Sequence, residues 1–361
     1  MDFNLIASVF DTLRIAPPSK LTLLEARTLA SAHVPPYPSD MPALLTGIDS
    51  AELALQVKNV LLTTYPKEHV VQWVREGKAR EEVLGELENY VFSEATCLYV
   101  PALPEWTSFE SFVEIVAHLR APEDGCPWDK EQTHESLRKH LLEESYEAIS
   151  AIDSGDFTDM REEFGDLLLQ VVLQSQIAND EKQFNINQVI QGISSKLVRR
   201  HPHVFGDLKL DGVDGVLANW EKLKEQERGK KKEDKGMLDG IPAALPALSQ
   251  AQEYQDRAAR VGFDWHEIES VLDKVKEEIE EIKNAETEFE LASEIGDLFF
   301  ALVNLARWKH VDAESALRGT NMKFKKRFAY VEQGAKKQGW NLSELSLDEM
   351  ESLWQEAKRV G

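Results

Sequence analysis

The chain has 361 residues, room for two or three domains, and its 41 Lys and Arg against 64 Asp and Glu leave a formal net charge of -23. That balance excludes a sequence-independent grip on nucleic-acid backbone, which needs a basic face, and two cysteines, Cys97 and Cys126, are too few for a disulfide scaffold or a thiolate zinc site. At 42% hydrophobic the chain can bury a sizeable core; with no run near the roughly 20 apolar residues of a membrane span and no signal-peptide layout at its start, a soluble, cytoplasmic protein is expected.

Residues 1–104 mix short β-rich runs with helical stretches. Ala51–Pro66 (AELALQVKNVLLTTYP) is predicted as a helix and His69–Val74 (HVVQWV) as the strand after it, while Pro35, Pro36 and Pro38 mark an irregular loop. From about Glu105 the pattern becomes almost wholly helical. Capping-box spacing occurs at Thr107 and Glu110, at Asp264 and Glu267, and at Ser346 and Glu349. Gln226–Pro246 is charged and punctuated by Gly and Pro, which reads as a linker. The expected fold class is mainly α: a small α/β region over 1–104, helical bundle domains over 105–230 and 251–361, and a linker over 231–250.

The two helical parts repeat one another weakly. The first runs LLEESYEAISAI (Leu141–Ile152), then REEFGDLLLQVVLQSQIA (Arg161–Ala178); the second runs KVKEEIEEIKNA (Lys274–Ala285), then ASEIGDLFFALVNLARW (Ala292–Trp308). Each carries Glu-Glu-x-x-Glu, a gap, and Glu-x-Gly-Asp opening an apolar helix. Each continues to a Lys with a cation four residues later, Lys196 with Arg200 and Lys323 with Arg327, and then to a Trp on a charged helix, Trp220 and Trp354.

A glutamate run alone is more often a solvated helix face than a site. Asp166 and Asp297 alter that balance, because each begins a helix apolar around most of its circumference, expected to be largely buried, and a buried carboxylate needs a partner or a metal. Glu144 with Glu147, and Glu163 with Asp166, are three residues apart and share a helical face. Antiparallel packing of the two helices would bring the four together, and the same holds for Glu278, Glu281, Glu294 and Asp297. Oxygen donors without Cys or His favour Mg²⁺ or Mn²⁺ over zinc, and Mg²⁺ bound by carboxylates implies a phosphorylated substrate. Lys323 and Arg327, one turn apart, have the spacing to grip phosphate oxygens.

These stretches, together with GCPWDKEQTHESLRKHLLEESYEAI (Gly125–Ile149), KLVRRHPHVFGD (Lys196–Asp207) and AARVGFDW (Ala258–Trp265), resemble the MazG-type nucleoside triphosphate pyrophosphohydrolases from about residue 108 onward. The resemblance implies tandem all-α domains, a homodimer, and Mg²⁺-dependent hydrolysis of nucleoside triphosphates to monophosphate and pyrophosphate. It implies metal ligands at Glu144, Glu147, Glu163 and Asp166 in the first copy and at Glu278, Glu281, Glu294 and Asp297 in the second. Substrate contacts are implied at Asn304, Lys323, Arg327 and Trp354, with Lys196, Arg200 and Trp220 as first-copy counterparts; where the second copy has Asn304 the first has Leu173. Water would attack the α-phosphorus, with Glu143 or Glu277 as the base. Phe10–Pro18, Asp49–Pro66 and Cys97–Leu103 are similar to the second half of a tetrapyrrole (S-adenosylmethionine-dependent) methylase domain. The Gly-rich first half of that fold is absent from these residues, so no methyl transfer is expected.

His201 and His203 flank Pro202 with no acidic or Cys partner nearby in sequence, which reads as a turn, and Cys126 as a packing residue. The competing expectations are a non-catalytic acidic helical interaction module and a regulatory appendage of a methylase.

Overall fold

The computed structural model describes residues 3–89, 92–93, 96–216, 219–220, 223 and 236–360. The chain separates into two compact units, Met1–Arg199 and Arg200–Gly361.

The first unit opens on α1 (Phe3–Leu13), β1 (Thr22–Glu25), α2 (Ala26–Ala30), β2 (Ala43–Thr46), α3 (Ala51–Leu61), β3 (Val70–Arg75), β4 (Lys78–Val83) and β5 (Cys97–Val100). The sheet order is β1-β2-β5-β3-β4, with β1 parallel to β2 and the other neighbours antiparallel. Alternation along the strands sorts two cores. Leu45, Leu98 and Val100 face α2 and α3 with Trp73, whereas Leu44, Cys97 and Tyr99 face Val9 and Phe10 of α1. The β3–β4 turn is Glu76-Gly77, both at positive φ (49° and 70°), the pairing a tight two-residue hairpin requires. Helix α3 stops at Leu61, short of the expected Pro66, and Ser50 caps its start by accepting from the Leu53 amide.

Then come α4 (Phe109–Leu119), α5 (Pro127–Glu131), α6 (Arg138–Ser154), α7 (Phe157–Asp180) and α8 (Ile186–Arg200). The expected box at Thr107 is displaced by one residue. Ser108 is the cap, accepting from the Ser111 amide at 3.1 Å, because the Thr107 hydroxyl donates to the Pro104 carbonyl at 2.8 Å. Gly155, in the left-handed region at φ 74°, ends α6, and Asp156 caps α7 by accepting from Thr158 and Asp159. This short connection makes α6 and α7 an antiparallel hairpin. Val116, Leu137, Val172, Leu173 and Ile177 form the core beneath it.

The second unit contains α9 (Pro202–Phe205), α10 (Ala247–Ala259), α11 (Ile268–Asn284), α12 (Glu288–Trp308), α13 (Ala313–Lys337) and α14 (Leu347–Val360). Helix α10 opens four residues before the expected end of the linker, whose residues 231–235 lie outside the described ones. Helices α11 and α12 form the second hairpin, its turn closed by a reciprocal box between Thr287 and Glu290. Ser346 and Glu349 form the expected box on α14. Asp264 does not cap a helix: its Oδ1 accepts from Arg307 (2.6 Å), the Trp265 amide (2.9 Å) and Trp308 Nε1 (3.2 Å). A guanidinium holds a carboxylate more strongly than an orphan amide does.

The expected burial of α7 and α12 is not met within the chain. Each packs on its hairpin partner and chiefly on α4 or α10, with α12 also touching α13, which leaves the opposite face open. Phe164, Leu168 and Val171 are exposed on α7, and Ile295, Phe299 and Leu302 on α12. Neither Asp166 nor Asp297 is buried. No helix among the described residues is long and apolar enough to cross a membrane.

Candidate metal centres on two helical hairpins

On the first hairpin, α6 contributes Glu144 and α7 contributes Glu163 and Asp166. One carboxylate oxygen from each lies within 4.8 Å of the others. Glu147, the fourth expected ligand, stands outside this group but acts on it electrostatically. Burial, then the charges of Asp166, Glu147 and Glu163, push Glu144 above the ordinary carboxylate range, with His140 opposing. Glu163 is pushed up by desolvation and then by Glu147 and Asp166.

The second hairpin repeats this with Glu278, Glu281 and Glu294 within 4.8 Å. Asp297, expected with them, is exposed and lines a cavity beside Glu278. Each hairpin therefore converges three of its four expected carboxylates and leaves the fourth at the rim, as mutual repulsion among like charges favours. Glu281 is pushed up by desolvation and then by Glu278 and Glu294.

Glu278 differs from the others in being 3% exposed. Its Oε1 receives Lys274 Nζ at 2.7 Å, while its Oε2 is buried and without a partner. Such an oxygen is costly unless a cation or donor meets it. Lys274 also reaches Glu277 at 2.9 Å, and bonds to Glu278 and Glu277 hold its ammonium well above the usual lysine range. Sequence reasoning missed Lys274; its signal was the Lys-to-Glu spacing of four on a helix. The corresponding first-copy position is His140, 3.2 Å from Glu143. The two expected bases, Glu143 and Glu277, thus pair with these neighbours and stand outside the converged groups, with side chains 61% and 55% exposed.

A cavity of about 370 Å³ adjoins the second group, with Gln255, Asp264, Trp265, Glu278, Asn304 and Arg307 on its wall. Asn304 is buried and accepts from Arg307 Nε at 2.9 Å. Its first-copy counterpart, Leu173, is packed into an apolar cluster.

The expected phosphate and base contacts are more dispersed. Lys196 is exposed and Arg200 half-buried, one turn apart on α8, while Trp220 belongs to the second unit. Lys323 is exposed and Arg327 half-buried on α13. Trp354 packs 5.2 Å from Phe324, against the α13–α14 core of Val331, Ala335, Leu345 and Leu353. None of the described hydrogen bonds or ion pairs joins Lys323, Arg327 or Trp354 to the second group. His201 and His203 start α9, and Cys126 precedes α5 without a side-chain cap bond.

Raised carboxylates fix the sign of a pH effect. The folded form holds these protons more tightly than the unfolded chain, so metal-free stability falls as pH rises from the ordinary carboxylate range through the raised one. Between about pH 4.5 and 7 in chelator, the wild type is expected to lose melting temperature relative to Glu163→Gln, and Mg²⁺ to narrow that gap. Thermal melts across that range check it; parallel curves in chelator would contradict the electrostatic picture.

The MazG nucleotide pyrophosphohydrolase domain model matches residues 132–205 and 266–331, which bracket the two hairpins. The chain is 46% identical over 250 residues to the nucleoside triphosphate pyrophosphohydrolase/pyrophosphatase MazG of Thermotoga maritima, covering 69% of this chain and 95% of that protein. It is 46% identical over 255 residues to the nucleoside triphosphate pyrophosphohydrolase of Escherichia coli strain K12, covering 69% and 97%. An uncharacterized Bacillus subtilis protein, YabN, is 40% identical over 371 residues, 99% of this chain and 75% of that one. With the domain matched twice and two relatives covered almost end to end, the chain belongs to the MazG nucleotide pyrophosphohydrolase family and is a hydrolase carrying that domain in tandem.

Proposed function

We propose that the chain hydrolyses nucleoside triphosphates to the monophosphate and pyrophosphate, water adding to the α-phosphorus as pyrophosphate leaves. The convergence of carboxylates from both helices of each hairpin, with a buried Glu278 oxygen lacking a partner, carries this reading. The activities named for the Thermotoga maritima and Escherichia coli relatives agree with it.

Oxygen-only donors suit Mg²⁺, with Mn²⁺ as a substitute. Glu144, Glu147, Glu163 and Asp166 would hold it in the first copy, and Glu278, Glu281, Glu294 and Asp297 in the second. When bound, the ion supplies positive charge against the phosphates and makes nearby water more acidic. Lys323 and Arg327 would neutralise charge gathering on the departing pyrophosphate, with Lys196 and Arg200 as first-copy equivalents. Glu143 and Glu277 are the proposed proton acceptors. Asn304, Trp220 and Trp354 complete the proposed substrate contacts. The open apolar stripes on α7 and α12 support a homodimer, and we place the protein in the cytoplasm.

The test is product identity. In Mg²⁺, a panel of nucleoside triphosphates is expected to yield pyrophosphate, not orthophosphate, and chelator to stop the reaction. Mg²⁺ with a non-hydrolysable analogue is expected to raise the melting temperature. Release of orthophosphate alone, or no turnover of any nucleotide, would overturn the assignment.

A further inference from the structure

The cavity beside the second carboxylate group has the size and lining of a small-molecule site rather than a packing fault. At about 370 Å³ it falls in the range of ligand pockets. Its wall is mostly apolar, with Tyr254, Ala258, Phe300 and Ala301. Phe263 and Trp265, also on its lining, are 83% and 43% exposed, so flat aromatic surface is left for another ring to cover. Glu278, Asp297 and Lys274 belong to the same lining. A molecule whose phosphates meet the carboxylate-bound ion therefore has an adjoining apolar chamber for its base.

Gln255 is the unusual group in this wall. It is 8% exposed, and its Nε2 donates to the Phe300 carbonyl at 2.8 Å. A carbonyl only accepts, so this bond fixes which end of the amide is nitrogen. The remaining Oε1 is buried with no partner. Orphaned buried acceptors are rare and costly, and one in the wall of a ligand-sized cavity calls for an N–H from the occupant. Asn304, also in the wall, has its Oδ1 engaged by Arg307 Nε, which leaves its amide nitrogen as the donor end. Gln255 and Asn304 thus place an acceptor end and a donor end on the wall of one cavity, the two kinds of group that the pairing edge of a nucleobase can answer. At the Asn304 position the first copy has Leu173, 4% exposed in an apolar cluster.

We propose that Gln255 is a specificity-determining residue of the second copy: its buried oxygen accepts an N–H from the pairing edge of the substrate's base, seated in the α10–α12 cavity. This rests on the triphosphate reading above and deepens it. Gln255 itself precedes residue 266, where the family match in this copy begins, while the cavity's other wall lies within it.

The experiment uses the full chain carrying Glu163→Gln, so that the first group is weakened, with Mn²⁺ present and binding read by calorimetry. The probes are the four natural nucleoside monophosphates, purine riboside 5′-monophosphate, whose pairing edge has no N–H, and inorganic tripolyphosphate, which has no base. The best natural monophosphate is expected to bind about 10-fold or more tightly than the purine riboside analogue. Gln255→Leu is expected to erase that preference and leave tripolyphosphate binding unchanged, with at most a small drop in melting temperature, since it removes the bond to the Phe300 carbonyl together with the unpartnered oxygen. Ala301→Phe, which fills the cavity, is expected to weaken all monophosphates while sparing tripolyphosphate. No preference in the parent chain, or a preference that survives Gln255→Leu, overturns the base assignment alone. A lower melting temperature with equal loss of every probe shows Gln255 to be structural and overturns it too. Failure of tripolyphosphate to bind removes the triphosphate reading and this inference with it.

Discussion

A chain carrying both Glu163→Gln and Glu281→Gln is expected to lose Mg²⁺-dependent pyrophosphate release by about 100-fold or more. The amide keeps the shape of each side chain and removes one negative charge from each converged group. Glu163 lies within 4.8 Å of Glu144 and Asp166, and Glu281 within the same distance of Glu278 and Glu294. Their charges are already disfavoured, by desolvation first and then by like-charged neighbours. Removing them should therefore leave the metal-free melting temperature no lower than in the wild type, while abolishing its rise with Mg²⁺. That combination separates a metal site from a structural acidic face, where substitution would alter neither turnover nor the response to Mg²⁺. The single variants then apportion activity between the copies. Undiminished pyrophosphate release by the double variant would defeat the assignment of these carboxylates.

Much of this arrangement is legible in the sequence because the same constraint is written twice. Glu-Glu-x-x-Glu followed by Glu-x-Gly-Asp fixes which residues share a helical face, and Gly155-Asp156 and Thr287 supply the stops and starts that fold each pair into a hairpin. Spacing alone does not say how deep a side chain sits. Glu278 is buried and Asp297 exposed although both were expected as ligands, because depth depends on what packs opposite, and α12 has α10 on one side and open surface on another. Gln255 was missed for a related reason. Nothing in its neighbourhood distinguishes it until the Phe300 carbonyl, 45 residues away, takes its amide nitrogen. Asp264 shows the same effect in reverse: its local spacing suggested a cap, but Arg307, brought in by tertiary folding, takes the carboxylate. The small sheet was read more coarsely, as α/β material, since pairing order depends on contacts such as β2 with β5 that span half the region.

The open faces of the hairpins lead to the second large expectation. Phe164, Leu168 and Val171 on α7 are 48%, 42% and 41% exposed, and Ile295, Phe299 and Leu302 on α12 are 38%, 56% and 42% exposed. Each trio follows the i, i+4, i+7 spacing that lines one stripe of a helix. The two trios occupy matching positions after the acidic motif, one residue past Glu163 and one past Glu294 in each case. Stripes of large apolar residues repeated in register on two helices mark a surface that another helix covers. They also explain why helices with so many apolar positions fail to bury them within their own hairpins. We expect the chain to be a homodimer and Phe299→Glu with Leu302→Glu to raise its dissociation constant by on the order of 100-fold or more, since association would then desolvate two unpaired carboxylates. The hairpin itself should persist, because Val303 and Asn304, on the packed side of α12, are untouched. Sedimentation of the full chain checks this against concentration, and circular dichroism checks the helix content. A wild type that sediments as a monomer at tens of micromolar, or a variant that dimerises as tightly as the wild type, would assign the stripe another role.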